Sequence, residues 1–410
     1  MTGEYDAIIV GAGPGGSTAA ILLAQAGWSV ALIEKQAFPR RKVCGACISA
    51  GNLPLLDILG ISEEFSRVAG PDLRQVALYC SDRVIQAPFP AMRDTAHPWG
   101  RALGREAFDV MLLERARELG ATVWQPCTLH RIDGHAGAFA CQVKTRAGLD
   151  SHLLRARVLI MANGSWERDP GGTRPVVRRA GDLLAFKATF SRSGLPPGIL
   201  PVISLQGGYG GLVIAENDKL ILAGCIRRDV LKACRTVAAV RTAGEAFEGY
   251  LRRNTGALRD VLECARREGA WLGSGPIRTG IRSPWRSSDG QLMVGNAAAE
   301  AHPIIGEGIT MAMQSAWLLS TRLIDAGCGG GSAHALRRAS VGYANQWKRT
   351  FAPRVHYAAA LAHLAMRPSL APLASPLLGC APGLLTTLAR GAGKARAAPR
   401  LRTAAPLGRS

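Results

Sequence analysis

Three groups of residues in this 410-residue chain have the types and spacing that chemistry needs. The first is Gly11-Ala-Gly13-Pro-Gly-Gly16, with Glu34 placed 18 residues beyond Gly16. Gly11 permits a tight turn, Gly13 lets backbone N–H groups approach a pyrophosphate, and Gly16 lets a helix pack closely on a strand. The pyrophosphate charge meets the helix N-terminus. Glu34 can accept both ribose hydroxyls and would repel a 2′-phosphate, which favours FAD or NAD over NADP. The second group is Lys42-Val-Cys44-Gly45-Ala-Cys47. A Cys-x-x-Cys pair can exchange electrons as a disulfide. It can also be one cysteine against a cofactor and one small buried residue. No second pair or His pair accompanies it, which argues against zinc. The third group is Gly295-Asn296 followed by His302-Pro303-Ile-Ile-Gly306-Glu307-Gly308-Ile309. Histidine can hold or pass a proton near neutral pH.

These residues need elements to hold them. Residues 6–10 predict a buried strand, 17–26 a helix ending at Gly27, and 29–33 a second buried strand with Glu34 at its end. Strand, glycines, helix, strand and acid together are far more specific than the glycines alone. Arg105–Gly120 predicts an amphipathic helix with Phe108, Leu112, Ala116 and Leu119 on one face. Strands are expected at 121–125, at 156–162 running into Asn163-Gly164-Ser165, and at 291–294, with a helix over 309–323. Between them, 183–190, 200–205, 211–215 and 219–225 alternate like an antiparallel sheet, with Asn217-Asp218 as a hairpin turn.

These segments resemble the flavoprotein superfamily with the p-hydroxybenzoate hydroxylase fold, which includes aromatic monooxygenases, geranylgeranyl reductases and flavin halogenases. The resemblance covers about residues 5–330. It implies an α/β fold: a Rossmann-like FAD-binding domain interleaved with an antiparallel-sheet substrate domain, plus a helical basic C-terminal extension. The expected FAD-binding parts are 1–75, 98–180 and 276–330, and the substrate parts 76–97 and 181–275. A C-terminal helix is expected over 331–366 and a basic, flexible tail over 367–410, disordered from 390 onward. Arg105 matches an arginine that reaches the FAD phosphates, and Gly295-Asn296 a motif that holds the ribitol. Lys42-Val-Cys44-Gly45 matches a segment beside the isoalloxazine, and Gly306-Glu-Gly308-Ile309 the loop beneath the pyrimidine ring. A helix starting at that loop would stabilise reduced flavin. Gly164, Lys35 and Leu129 complete the expected cofactor-binding set.

Two asparagines, Asn163 and Asn296, stand where the family has aspartate, so a hydrogen bond remains without charge. Gly211, in Gly207-Gly208-Tyr209-Gly210-Gly211, stands where the reductases have tryptophan, which opens the pocket and weakens a polyprenyl-reductase reading. The halogenases' Trp-x-Trp pair is absent, which ranks halogenation low. The candidate catalytic residues are Tyr209, His302 and Pro303, with Glu307 behind them. Against these roles stand a sheet-packing Tyr209, a His302 bonded to backbone and a solvated Glu307 cap. The motifs look most like bacterial FAD oxidoreductases of polyketide-type pathways. The resemblance thus implies a monooxygenase that hydroxylates or epoxidises an apolar or aromatic, polyketide-like substrate through a C4a flavin-oxygen adduct. NADH or NADPH would be a transient reductant, because no second dinucleotide fingerprint exists. The alternatives are a flavin C=C reductase of geranylgeranyl type and a flavin-bound lipid- or partner-binding protein without turnover.

Charge is the remaining feature. The net charge is +20, and residues 326–410 hold 12 Lys and Arg with no Asp or Glu. Such a segment suits an anionic membrane surface or a solvated helix and tail. Nucleic acid fits less well, since no aromatic residue follows Tyr357 to stack on bases. Glu4 and Asp6 precede the first apolar run, and no apolar run reaches about 18 residues. The expectation is a cytoplasmic protein with free thiols, with or without peripheral membrane contact.

Overall fold

The structure is a computed structural model and describes residues 2–93, 95–145, 150–165, 178–238, 242–327, 332–367 and 379–397. Two sheets organise it. The first contains β1 (Thr2–Val10), β2 (Val30–Ile33), β5 (Thr122–Trp124), β6 (Cys127–His135), β7 (Ala138–Thr145) and β8 (Ser151–Met161) in the order β5-β2-β1-β8-β7-β6. β1, β2, β5 and β8 run parallel, with Ile8 opposite both Ala31 and Leu159. Their runs of Val, Ile, Leu and Ala are continuous because both faces are covered. The covering helices include α1 (Pro14–Gln25), α2 (Arg105–Glu118) and α3 (Gly308–Asp325). Phe108, Leu112 and Ala116 are buried as their spacing predicts, and Leu119 is half-buried.

The second sheet holds β3 (Gln75–Cys80), β4 (Arg83–Pro88), β9 (Leu183–Ser191), β10 (Ile199–Leu205), β11 (Gly208–Ile214) and β12 (Leu220–Arg227) in the order β9-β12-β11-β10-β3-β4. It is antiparallel except between β3 and β10. Asn217 and Asp218 both have left-handed φ, 53° and 54°, as a two-residue hairpin turn requires. Short strand β13 (Leu292–Met293) continues the first sheet beside the end of β8 and delivers Gly295 to the same edge as Gly11.

Helix α4 (Ala333–Ala365) packs on α3, and Tyr343 anchors it by donating to Met293 O at 2.7 Å. Ser332 caps it through Ala335 N. The described part of the expected flexible tail, residues 379–397, is ordered in part. Residues 383–391 form helix α5 (Gly383–Gly391), which lies on β4, with Thr386 bonded to Pro88 O at 2.6 Å and Leu385 buried against Val76, Ile85 and Phe89. By composition this stretch is the end of a Pro-, Leu- and Ala-rich segment. Its apolar leucines cover a sheet that would otherwise be bare. Two C-terminal cations, Arg354 and Lys394, are buried, so the basic charge is not wholly a solvated or membrane-facing surface. Exposed Arg337, Arg338, Lys348 and Arg349 on α4 remain available to an anionic partner. No helix among the described residues is long and apolar enough to cross a membrane.

Candidate active site

One cavity of about 1270 Å³ is lined by residues of both sheets. It brings together Gly11, Gly13, Glu34, Lys35, Lys42, Cys44, Gly45, Arg105, Leu129, Gly164, Asn296, Gly306, Gly308 and Ile309, with Tyr209, His302 and Pro303. Of the candidate residues, Gly16 and Glu307 lie outside the lining.

At one end, β1 turns into α1. Gly11 has φ +102°, and a Cβ on Gly16 would sit 1.8 Å from Gly11 O. Those two glycines are dictated by the fold. Gly13 is different: its φ is −73°, and an added Cβ would make ordinary contacts with Arg105 at 3.5 Å and Arg40 at 3.6 Å. The open space above it is bounded by the α1 N-terminus and by Lys35, Arg40, Lys42 and Arg105. Burial, then the neighbouring cations Arg40, Arg105 and Lys35, push the Lys42 ammonium down. An anion here would relieve both. Asp109 accepts two bonds from Arg105, at 2.6 and 2.7 Å, and lies 3.5 Å from Arg40 Nε. Glu34 is buried, accepts from Ala12 N at 3.0 Å and pairs with Arg40 at 2.9 Å. Helix N-terminus, glycine backbone and guanidinium groups are the donor set that a dinucleotide pyrophosphate takes, so the residues fit FAD.

Farther along, Gly295 N donates to Ser315 Oγ and Asn296 Nδ2 to Ser165 Oγ, both at 2.9 Å. These bonds fix the Asn296 backbone and side chain at the cavity wall. Gly306 has φ +58°, and nothing lies within 4 Å of a Cβ on Gly308. His302 Nδ1 and Tyr209 Oη are 2.8 Å apart, and both residues are buried. Burial pulls the His302 pKa down to about 4, so the ring is neutral near pH 7. Burial pushes the Tyr209 hydroxyl well above its ordinary value and the adjoining Cys225 thiol up to about 12. This is a neutral, hydrogen-bonded cluster that can hold one proton at a defined atom.

The alternative of a solvated Glu307 cap does not hold. Glu307 is 1% exposed and ion-paired to Lys394 at 3.0 Å. All nine described cysteines are free. Cys44 and Cys47 both line the cavity; Cys47 is buried and burial pushes its thiol up, which makes it a weak nucleophile. Sequence reasoning missed Arg40, Lys394 and the apolar chamber wall of Leu361, Leu364, Leu384 and Leu388 from α4 and α5. Arg40 was signalled by its place beside Lys42. Nothing in the Ala- and Gly-rich surroundings of Lys394 distinguishes it from other basic residues.

The His302 shift has a measurable consequence. The folded pKa lies below the unfolded value of 6.5, so the contribution is intact above pH 6.5 and is lost as pH falls toward about 4. Its size is about 3 kcal/mol. Chemical denaturation across this window should show that His302→Gln removes that much of the wild-type acid destabilisation. Parallel curves for the two proteins would refute the assignment.

Residues 4–172 match the family model described as FAD binding domain. The chain is 26% identical over 351 residues to conditioned medium factor receptor 1 of Dictyostelium discoideum, covering 78% of this chain and 64% of that one. It is 23% identical over 334 residues to kynurenine 3-monooxygenase of Salinispora arenicola, covering 76% and 71%. The chain therefore spans just under two thirds of the first of these relatives. Its fold matches the myxobacterial chondrochloren halogenase with a TM-score of 0.75 at 20% identity, over 94% of this chain and 91% of that one. Residues 4–172 thus form an FAD-binding domain, and the two-sheet architecture is the fold of the solved FAD-dependent halogenase.

Proposed function

We propose that this protein is an FAD-dependent monooxygenase of an apolar or aromatic small molecule, with NADH or NADPH as a transient reductant. The observation that carries this reading is the continuity of the cavity. The phosphate cradle at Gly13 and an apolar chamber walled by Leu200, Val202, Leu212, Leu361 and Leu388 share one space, with the His302–Gly308 loop between their residues in the lining. When bound, FAD supplies electron storage and, once reduced, activation of dioxygen. The chain's own residues would do the rest. Arg105 and the α1 N-terminus would hold the phosphates, and Asn296 and Gly164 would border the ribitol. Tyr209 and His302 hold a proton at the chamber, and the leucines exclude water and select an apolar substrate.

The test is aerobic turnover of the FAD-loaded protein with NADH or NADPH and a panel of polyketide and isoprenoid compounds, read by mass spectrometry. Product gaining one oxygen atom is expected. A product gaining two hydrogens would favour the C=C reductase reading. A flavin that neither nicotinamide nor substrate can reduce would favour a protein without turnover. Similarity to a solved halogenase supports a second reading despite the missing Trp-x-Trp pair. It predicts a halogenated product only when chloride or bromide is present.

A further inference from the structure

A buried charge cluster lies behind the Gly306–Gly308 loop and plays no part in the proposal above. Lys394, delivered by the C-terminal segment 379–397, is 5% exposed. Its Nζ donates to Gly306 O at 3.0 Å and lies 3.0 Å from Glu307 Oε1 and 3.7 Å from Cys47 Sγ. Three contacts match its three protons. Glu307 Oε1 also accepts from Ser49 Oγ, and Oε2 has no partner among the described residues. Arg354, 2% exposed, donates from Nη1 to Gln314 Oε1 at 3.1 Å. Its Nε and Nη2 have no partner among the described residues.

The charges do not cancel. Burial pulls the Lys394 ammonium down, but the Glu307 carboxylate and hydrogen bonds to Glu307 and the Cys47 sulfur more than reverse this and hold it protonated. Burial lowers Arg354 while Glu307 raises it, and an arginine stays charged in either case. Cys47, held as a thiol by burial, adds no charge. Two buried cations therefore face one carboxylate. A fold keeps an excess buried charge at a cost, and that charge favours any anion brought close to it.

We infer that Lys394 is a positioning residue for the Gly306–Gly308 loop, clamping Gly306 and Glu307, and that with Arg354 it makes the loop's surroundings electropositive so that reduced, anionic flavin is favoured. This rests on the assignment of that loop to the flavin ring. A residue 88 positions away from Gly306 thus takes part in tuning the cofactor.

The experiment measures the flavin reduction potential of purified FAD-loaded wild type, Lys394→Met, Lys394→Arg and Glu307→Gln. Lys394→Met should lower the ratio of reduced to oxidised flavin about tenfold at fixed potential, a shift of about 30 mV to the negative for a two-electron couple. Glu307→Gln removes the opposing charge and should shift the potential the other way. Lys394→Arg should restore most of the wild-type value. A purely structural clamp would not give shifts of opposite sign, so shifts of one sign, or none, overturn the inference. If Lys394→Met does not fold, the sign for Glu307→Gln still decides. A wild-type protein that binds no FAD would instead overturn the flavin assignment itself.

Discussion

Gly13→Leu should purify as a folded but colourless protein. The Gly13 backbone lies in an extended conformation open to any residue, with φ −73° and ψ −179°, and its Cβ direction meets nothing closer than 3.5 Å. Leucine is a poorer N-cap than glycine, which costs the apoprotein about 1 kcal/mol or less. Its side chain would fill the space beneath Arg40 and Arg105 where the dinucleotide phosphates are proposed to sit. FAD affinity should fall at least about 100-fold, or roughly 2.7 kcal/mol. Gly16→Leu is the contrast: its Cβ would meet Gly11 O at 1.8 Å, so fold and flavin should be lost together. Flavin absorbance per protein, alongside circular dichroism, separates the two cases. A yellow Gly13→Leu protein would place the cofactor elsewhere.

Asp109→Asn should be the most destabilising single change at the cradle. Asp109 is fully buried and neutralises Arg105 through two short bonds, with Arg40 at 3.5 Å. The amide keeps the shape but leaves buried guanidinium charge unmatched. Breaking one side of a buried pair costs about 3–5 kcal/mol. The unfolding free energy of the apoprotein, from denaturant titration, should fall by that amount. Saturating FAD should recover part of it, because its phosphates are anions for the same guanidinium groups. A loss under about 1 kcal/mol would mean that water already solvates Arg105 and Arg40.

Both predictions concern the part of the molecule that is most legible in the sequence. Gly11, Gly13, Gly16 and Glu34 are tied to one another by local geometry: a strand, a turn, a helix and a strand within 35 residues. The antiparallel meander from β9 to β12 was likewise visible, because alternation and a two-residue turn are local signals. The elements' ends were less so. Helix α1 starts at Pro14 rather than Ser17, since proline's fixed φ already suits the first helical turn. β8 starts at Ser151 rather than 156, extended by its pairing with β7, which only the sheet reveals.

The sequence by itself therefore determined the α/β class, the glycine turn of the FAD-binding domain, the antiparallel sheet and a minority of the residues that line the cavity. Tertiary structure alone decided which of those residues meet. It joined Tyr209 to His302 across 93 positions. It turned Glu307 inward to Lys394, and it folded α5 onto β4 as a chamber wall. The physical reason is that glycine turns and hydrophobic periods depend on neighbours along the chain. The burial of a charge, or the covering of an apolar face, depends on which partner the fold brings to it. A lysine in a basic, alanine-rich segment looks solvated until the carboxylate and carbonyl that hold it are in place.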